Sequence, residues 1–265
     1  MKEHIFNSLP RNYPWKEHFH YLEETDSTNT RIKNMAKDGA PHGTVLIADR
    51  QTGGHGRLGR SFHSPGGVGI YMSILLRPDC KPAQLLHLTC ATAVAMCDAV
   101  EKAAGFRPGI KWTNDLVSGK RKLGGILTEL GFTSSGTVDY AVIGIGINCC
   151  QRLSDFAPDI RDIAGSLSMI TGTETDRAKV AAAMMEALHE MSETLLTGKE
   201  AMLERYRADC ITVGQDISLV RSDEVRHGHA VDVDESGSLV VRFGDGHTEA
   251  VSSGEVSVRG MYGYV

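Results

Sequence analysis

Gly53-Gly54-His55-Gly56-Arg57-Leu58-Gly59-Arg60 joins four glycines to two arginines within eight residues. Glycines let backbone amides approach a ligand closely, and guanidinium forks hold phosphoryl or carboxylate oxygens. Gly54 to Gly59 also satisfies the dinucleotide pattern G-x-G-x-x-G, after the strand-like run Thr44-Val45-Leu46-Ile47-Ala48. That pattern signals a dinucleotide fold only when a helix opens at the third glycine and meets the pyrophosphate. Here the breaker-rich stretch Arg60 to Gly69 follows, and then the apolar, β-like run Ile70 to Leu76. The dinucleotide reading therefore fails, and no G-x-x-x-x-G-K-[ST] occurs in the sequence. An anion-binding loop between two strands remains, beside the plainer reading of a mobile Gly/Arg surface loop.

Bulk properties narrow the field. A chain of 265 residues, 41% hydrophobic, can bury one large core and a small second one. With 28 Lys+Arg against 33 Asp+Glu and no long basic block, general affinity for nucleic acid is not expected, whereas a small anionic ligand is compatible. The N-terminus lacks an apolar export segment, and no run of about 18 apolar residues occurs, so a cytoplasmic protein without membrane contact is expected. Six cysteines form no C-x-x-C pair and read as reduced core residues, with neither zinc nor disulfides expected.

Capping residues Thr25-Asp26-Ser27-Thr28-Asn29 precede a short helix over 31–37 that Gly39 closes. Leu85, Leu88, Thr89, Ala93, Met96 and Val100 predict a helix from Pro82 to Ala104, stopped by Gly105. Hairpin-like runs Ile110–Leu116 and Lys122–Leu130 and a strand over Tyr140–Ile147 predict a mixed sheet. Asp176 to Asp209 reads as helical, with Val180, Met184, Leu188, Met191 and Leu195 as its apolar stripe. From Ile217 to Val258, short alternating runs broken by glycines predict a β-barrel of about five strands. The boundary falls near Ala208, giving domains 1–208 and 209–265.

Three more segments carry chemistry. Lys111-Trp112-Thr113-Asn114-Asp115 brings an amide and a carboxylate to a strand end, as a ligand contact or as a polar turn. In Lys122-Leu123-Gly124-Gly125 a lysine enters a strand whose next small residues admit a flat ligand; exposed charge is the plainer account. In Gly144-Ile145-Gly146-Ile147-Asn148 alternate glycines permit close approach to one face, which strand packing alone also explains.

Taken together, Asp26-Ser27-Thr28-Asn29, Gln51 with Gly54–Arg60, Lys111–Asp115, Arg121–Leu127, Gly144–Asn148 and Ser253–Gly260 resemble the biotin protein ligases, or biotin-[acetyl-CoA-carboxylase] ligases. The resemblance spans residues 25–260 and implies an α+β fold, a mixed-sheet catalytic domain followed by a small SH3-like barrel. Lipoate ligases share the catalytic fold, and the glycine-arginine loop favours biotin. The resemblance implies a reaction in which biotin attacks the α-phosphorus of ATP, with Mg2+, to give biotinyl-AMP. A lysine of a biotin carboxyl carrier protein, from acetyl-CoA carboxylase or a related carboxylase, then takes the acyl group.

By that resemblance Lys122, Arg57 and Asp115 are the catalytic candidates: Lys122 beside the biotin carboxylate and α-phosphate, Arg57 over the mixed anhydride, Asp115 as base for the incoming amine. Ser27, Thr28 and Gln51 fall with the biotin head group, completed by backbone near Gly124 and Gly125, and Asn29 is among the biotin/adenylate-binding positions. Gly54, His55, Gly56, Arg60 and Phe62 form the lid, Asn114 lies toward the adenylate and Arg259 toward the ATP phosphates, and Asn148 falls among the biotin/adenylate-binding positions. No protein metal ligands are expected. Two positions depart from the common pattern: His55 stands where arginine is frequent, and Thr113 where proline is usual. Only 24 residues precede Thr25, too few for the helix-turn-helix of repressor relatives, so no DNA binding is expected. A monomer and a homodimer are equally compatible. A lipoate-type ligase and a biotin sensor that does not transfer are the competing readings.

Overall fold

The structure, a computed structural model, describes residues 1–221, 224–252 and 257–260. Seven strands form a mixed sheet: β1 (Phe19–Thr25), β2 (Thr44–Gln51), β3 (Gly69–Leu76), β4 (Gly109–Lys111), β5 (Asp115–Ser118), β6 (Arg121–Phe132) and β7 (Val138–Asn148). Their order is β1-β2-β3-β7-β6-β5-β4, parallel between β1 and β2 and antiparallel elsewhere. All eight residues of β3 are buried, and its run is apolar on both faces except at Ser73, whose hydroxyl bonds Thr28 and Asn29.

The two faces are covered by different helices. On one, α2 (Thr28–Lys37) sets Ile32 and Ala36 against Leu46, Leu75 and Val142. On the other lie α3 (Leu88–Ala104) and α5 (Arg177–Thr194), with α1 (Lys2–Ser8) against α5. The short α4 (Leu167–Thr171) precedes α5, and α6 (Lys199–Asp209) follows it. Pro82–Ala104 is apolar enough by composition to cross a membrane, and most of it is buried in this core.

Three elements differ from their sequence readings. Pro82–Leu85 is a 3₁₀ turn, and α3 begins only at Leu88 because His87 leaves helical geometry to bond the Leu195 carbonyl at 2.9 Å. The helix expected over 176–209 breaks after Thr194 and restarts at Lys199, with Gly198 N–H bonding back to Thr194 O at 2.7 Å. Arg107 then anchors the end of α6 through a bidentate pair with Asp209 at 2.8 and 2.6 Å. The third difference is α1 with β1, whose pattern is too short and too polar to stand out; β1 is buried only at its two ends.

A second, antiparallel sheet has the order β11-β10-β9-β8-β12, built from β8 (Asp216–Arg221), β9 (Glu224–Val233), β10 (Leu239–Phe243), β11 (Thr248–Val251) and β12 (Ser257–Gly260). The expected α+β architecture, a mixed-sheet domain followed by a small SH3-like barrel, is the one found. The halves interlock at Trp112, whose backbone N–H donates to Thr212 Oγ1 and whose indole N–H donates to Gly237 O, both at 2.9 Å. Five of the six free cysteines are buried, and burial pushes the Cys90 thiol up to about 12.

His87 makes this fold pH-sensitive. Its ring is buried, its Nε2–H serves Leu195 O, and burial above all holds its pKa below the ordinary 6.5. The unfolded chain takes up this proton first, so the contribution is complete above 6.5 and is lost progressively as pH falls from there toward the lower folded value. Burial also lowers His20 and His42. Urea-unfolding midpoints should therefore fall between about pH 7 and about pH 5. The decline should be shallower in His87→Gln, which keeps an amide donor without a titrating ring.

Candidate active site

A bare patch of sheet forms the floor of the site. Gly125 on β6 pairs with Gly146 on β7, and Gly144 lies two residues along the same strand, so the three share one face. Each would meet a side chain if it carried a Cβ. At Gly144 the collision is with Asn29; at Gly146 the Phe62 ring lies 2.5 Å away, and at Gly125 the Lys122 Nζ lies 3.3 Å away. Removing three Cβ atoms thus lets side chains from α2, the glycine-arginine loop and β6 lie flat on the sheet. Above them is a cavity of about 330 Å³.

Its first wall is the start of α2. Ser27 is the N-cap, and its Oγ accepts from Thr30 N–H at 3.5 Å. Gln51, at the end of β2, accepts from Thr28 N–H at 2.8 Å and Thr28 Oγ1–H at 3.0 Å. Its amide nitrogen donates to Ser64 Oγ at 3.0 Å, and Ser64 donates to Phe62 O at 2.9 Å. One side chain thereby ties the helix start to the returning leg of the loop. Asn29 is tied more fully: its nitrogen donates to Glu129 Oε2 at 2.9 Å and Leu127 O at 3.4 Å, and its oxygen lies 2.6 Å from the Ser73 hydroxyl. Lys33 closes the group with a 2.7 Å ion pair to Glu129.

The second wall is the loop itself. Leu58 (φ 56°) and Gly59 (φ 70°) turn its tip through left-handed geometry, and Gly56 N–H bonds Arg60 O at 2.7 Å. Arg57 folds inward to donate to Asn114 Oδ1 at 2.8 Å, while Asn114 donates to Ile126 O at 3.0 Å. Burial lowers the Arg57 pKa, partly offset by Asp115, while Arg60 adds to the lowering. Arg57 and Arg60 both border the cavity, and paired guanidinium groups are the donor chemistry that an anion requires.

The third wall centres on Lys122. Its ammonium donates to Asp115 Oδ1 at 2.7 Å, and its backbone is clamped by Ile163 O at 2.6 Å and Gly165 N–H at 2.9 Å. Arg121 secures the same segment by donating to Arg161 O at 3.1 Å and Ala164 O at 2.8 Å. Phe156, Ile160, Ile163 and Ala164 supply the apolar lining on this side. Asn148, at its edge, donates to Gly165 O at 3.0 Å.

Of the residues singled out in the sequence, Ser27, Thr28, Asn29, Gln51, His55, Gly56, Arg57, Arg60, Phe62, Asn114, Asp115, Lys122, Gly125 and Asn148 all line this cavity. Gly54 and Gly124 do not. A Cβ at Gly54 would lie 2.6 Å from Phe62 O, and one at Gly124 would lie 2.5 Å from Gly146 O, so both glycines serve backbone packing. The Arg259 side chain and residues 253–256 lie outside the described residues, although Val258 lines the cavity. Sequence reasoning missed Ser61, His63 and the Phe156–Ala164 wall, whose apolar residues follow no strand or helix period.

Residues 21–148 match the Biotin/lipoate A/B protein ligase family, and residues 212–259 match the Biotin protein ligase C terminal domain. The chain is 30% identical to the biotin-[acetyl-CoA-carboxylase] ligase of Mycobacterium tuberculosis over 241 residues, covering 89% of this chain and 86% of that protein. It belongs to the biotin protein ligase family. It is also similar to the bifunctional ligase/repressor BirA of Bacillus subtilis, at 33% identity over 231 residues, covering 87% of this chain and 71% of that one. Among solved structures, the biotin protein ligase from Aquifex aeolicus in complex with biotin and ATP superposes with a TM-score of 0.77 at 30% identity. That match covers 91% of this chain and 98% of the Aquifex chain. Within this family fold, Gln51 is the strut between helix and loop. Gln51→Leu should speed proteolytic cleavage within 53–64 by about tenfold while leaving the melting temperature nearly unchanged, since the loss is local.

Proposed function

We propose that this chain activates biotin with ATP as biotinyl-5'-AMP and transfers the biotinyl group to a lysine of a biotin carboxyl carrier protein. The observation that carries this reading is the separation of two unlike ends in one cavity. Ser27, Thr28 and Gln51 gather around β2, whereas Lys122 and Asp115 sit on β6 and β5, with β3 and β7 between. From β2 to β6 is roughly 14 Å at ordinary strand spacing, a span suited to an elongated acid with a polar head and a distant carboxylate. Donors and acceptors at the first end suit a ureido ring, and the cations at the second suit a carboxylate meeting a phosphate.

In the first step a biotin carboxylate oxygen bonds to the α-phosphorus as the bond to the β-phosphate oxygen breaks and pyrophosphate leaves. Negative charge grows on the phosphoryl oxygens, where Lys122 and Arg57 stabilise it and Arg60 and Arg259 assist. Because Ala164 is bridged to the Lys122 backbone, the apolar wall adjoins the phosphate position and takes the nucleotide base, with Asn148 at its edge. The loop and Phe62 cover the mixed anhydride and keep water from it, while His55 contributes hydrogen bonding near the head group. In the second step the carrier amine attacks the acyl carbon, AMP leaves, and Asp115 accepts the amine proton.

Mg2+ enters as the counter-ion of ATP. Among the described residues no group of three or more His, Cys, Asp or Glu side chains suits a metal, and the cavity carboxylate Asp115 is paired with Lys122. We infer further that the enzyme is cytoplasmic and monomeric or homodimeric, with the catalytic domain ending at residue 208 and the barrel beginning at 209. Residues 1–265 are expected to bind no operator; a sequence-specific gel shift would contradict that.

Incubation with ATP, labelled biotin and an apo carrier domain tests the reading. Labelled carrier is the expected result; transfer of lipoate instead, or retention of biotin without transfer, would overturn it. Lys122→Met should lower adenylate formation by about 100-fold or more, measured as pyrophosphate release. Arg57→Gly should release free biotinyl-AMP into solution, and full retention of the intermediate would count against the lid.

A further inference from the structure

Gln151 is 2% exposed, and its Oε1 has no hydrogen-bond partner among the described residues. Its other half is engaged. Gln151 Nε2 donates to Asn148 Oδ1 at 3.1 Å, and its backbone oxygen is fixed by the Ser166 hydroxyl at 2.7 Å. A buried acceptor without a donor is destabilising, so the position is held for what the nitrogen does.

What it does is orient Asn148. The Asn148 nitrogen serves Gly165 O, and the Asn148 oxygen receives Gln151. A carboxamide has two N–H donors and two acceptor positions, so one of each stays uncommitted, and Asn148 lines the cavity. Adenine offers an amino donor beside a ring acceptor. Guanine offers the reverse, a carbonyl acceptor beside a ring donor. A freely turning amide fits either purine by flipping over. One clamped from both sides, by a carbonyl on its nitrogen and a donor on its oxygen, fits only one orientation.

We propose that Gln151 is a positioning residue that locks the Asn148 amide and thereby selects the purine base of the nucleoside triphosphate. This inference rests on the proposed function, in which the base lies against Asn148. Gln151→Met keeps the side-chain length, removes the donor and removes the unpartnered oxygen, so the variant should fold with an undiminished melting temperature. Its KM for ATP should rise about tenfold and its preference for ATP over GTP should fall about tenfold. The kcat and the affinity for biotin measured calorimetrically without nucleotide should stay unchanged. Gln151→Leu, which likewise presents no donor to Asn148, should shift the same two quantities in the same direction.

An unchanged KM for ATP together with unchanged base preference in a folded variant would overturn the assignment. So would a parallel loss of biotin affinity and melting temperature, the signature of a merely structural role. If wild-type protein fails to label the carrier, the proposed function falls and this inference falls with it. Wild-type labelling with indifferent Gln151 variants overturns the present inference alone.

Discussion

The whole cavity rests on three missing Cβ atoms. Gly125, Gly144 and Gly146 clear one contiguous face of β6 and β7, and Lys122, Asn29 and Phe62 each occupy the space so released. Any methyl there meets another residue rather than solvent, so the penalty would be one of overpacking. The three occupants come from a strand, a helix and a loop. Their relative placement is therefore referred to one rigid sheet, against which α2, β6 and the glycine-arginine loop each set a side chain.

Electrostatics reinforce that division. The chain carries a net charge of -5, yet the cavity gathers Arg57, Arg60, Lys111 and Lys122, with Asp115 as the carboxylate among its described lining residues. Positive charge concentrated in a concave site draws anions despite the opposite sign of the whole. Partial desolvation then strengthens the same attraction once a ligand enters, as the burial-driven lowering of the Arg57 pKa indicates.

Much of this was legible in the sequence because its strongest signals are local. The strand after Gly69 ruled out a dinucleotide fold; the small residues after Lys122 read as room for a flat ligand and Gly144 and Gly146 as room for close approach, and the structure fills the space at Gly125, Gly144 and Gly146 with Lys122, Asn29 and Phe62. The missing pieces depend on partners distant in sequence. Phe156 to Ala164 becomes a wall only through its bridge to Lys122, and the long helix over 176–209 breaks where Leu195 gives its carbonyl to His87. Gly124 and Gly125 are neighbours in sequence, and only the pairing of β6 with β7 assigns one to packing and the other to the cavity.

Trp112 lines the cavity, yet its backbone and indole hydrogen bonds end on Thr212 and Gly237, both in the C-terminal portion of the chain. Gly237 sits in a turn closed by its own bond to Asp234 O at 3.0 Å, with φ at +80°, so its carbonyl is aimed by geometry that few other residues tolerate. Trp112 thus carries part of the cavity wall on acceptors from beyond residue 208, and replacing that C-terminal segment would replace the anchors of the wall with it.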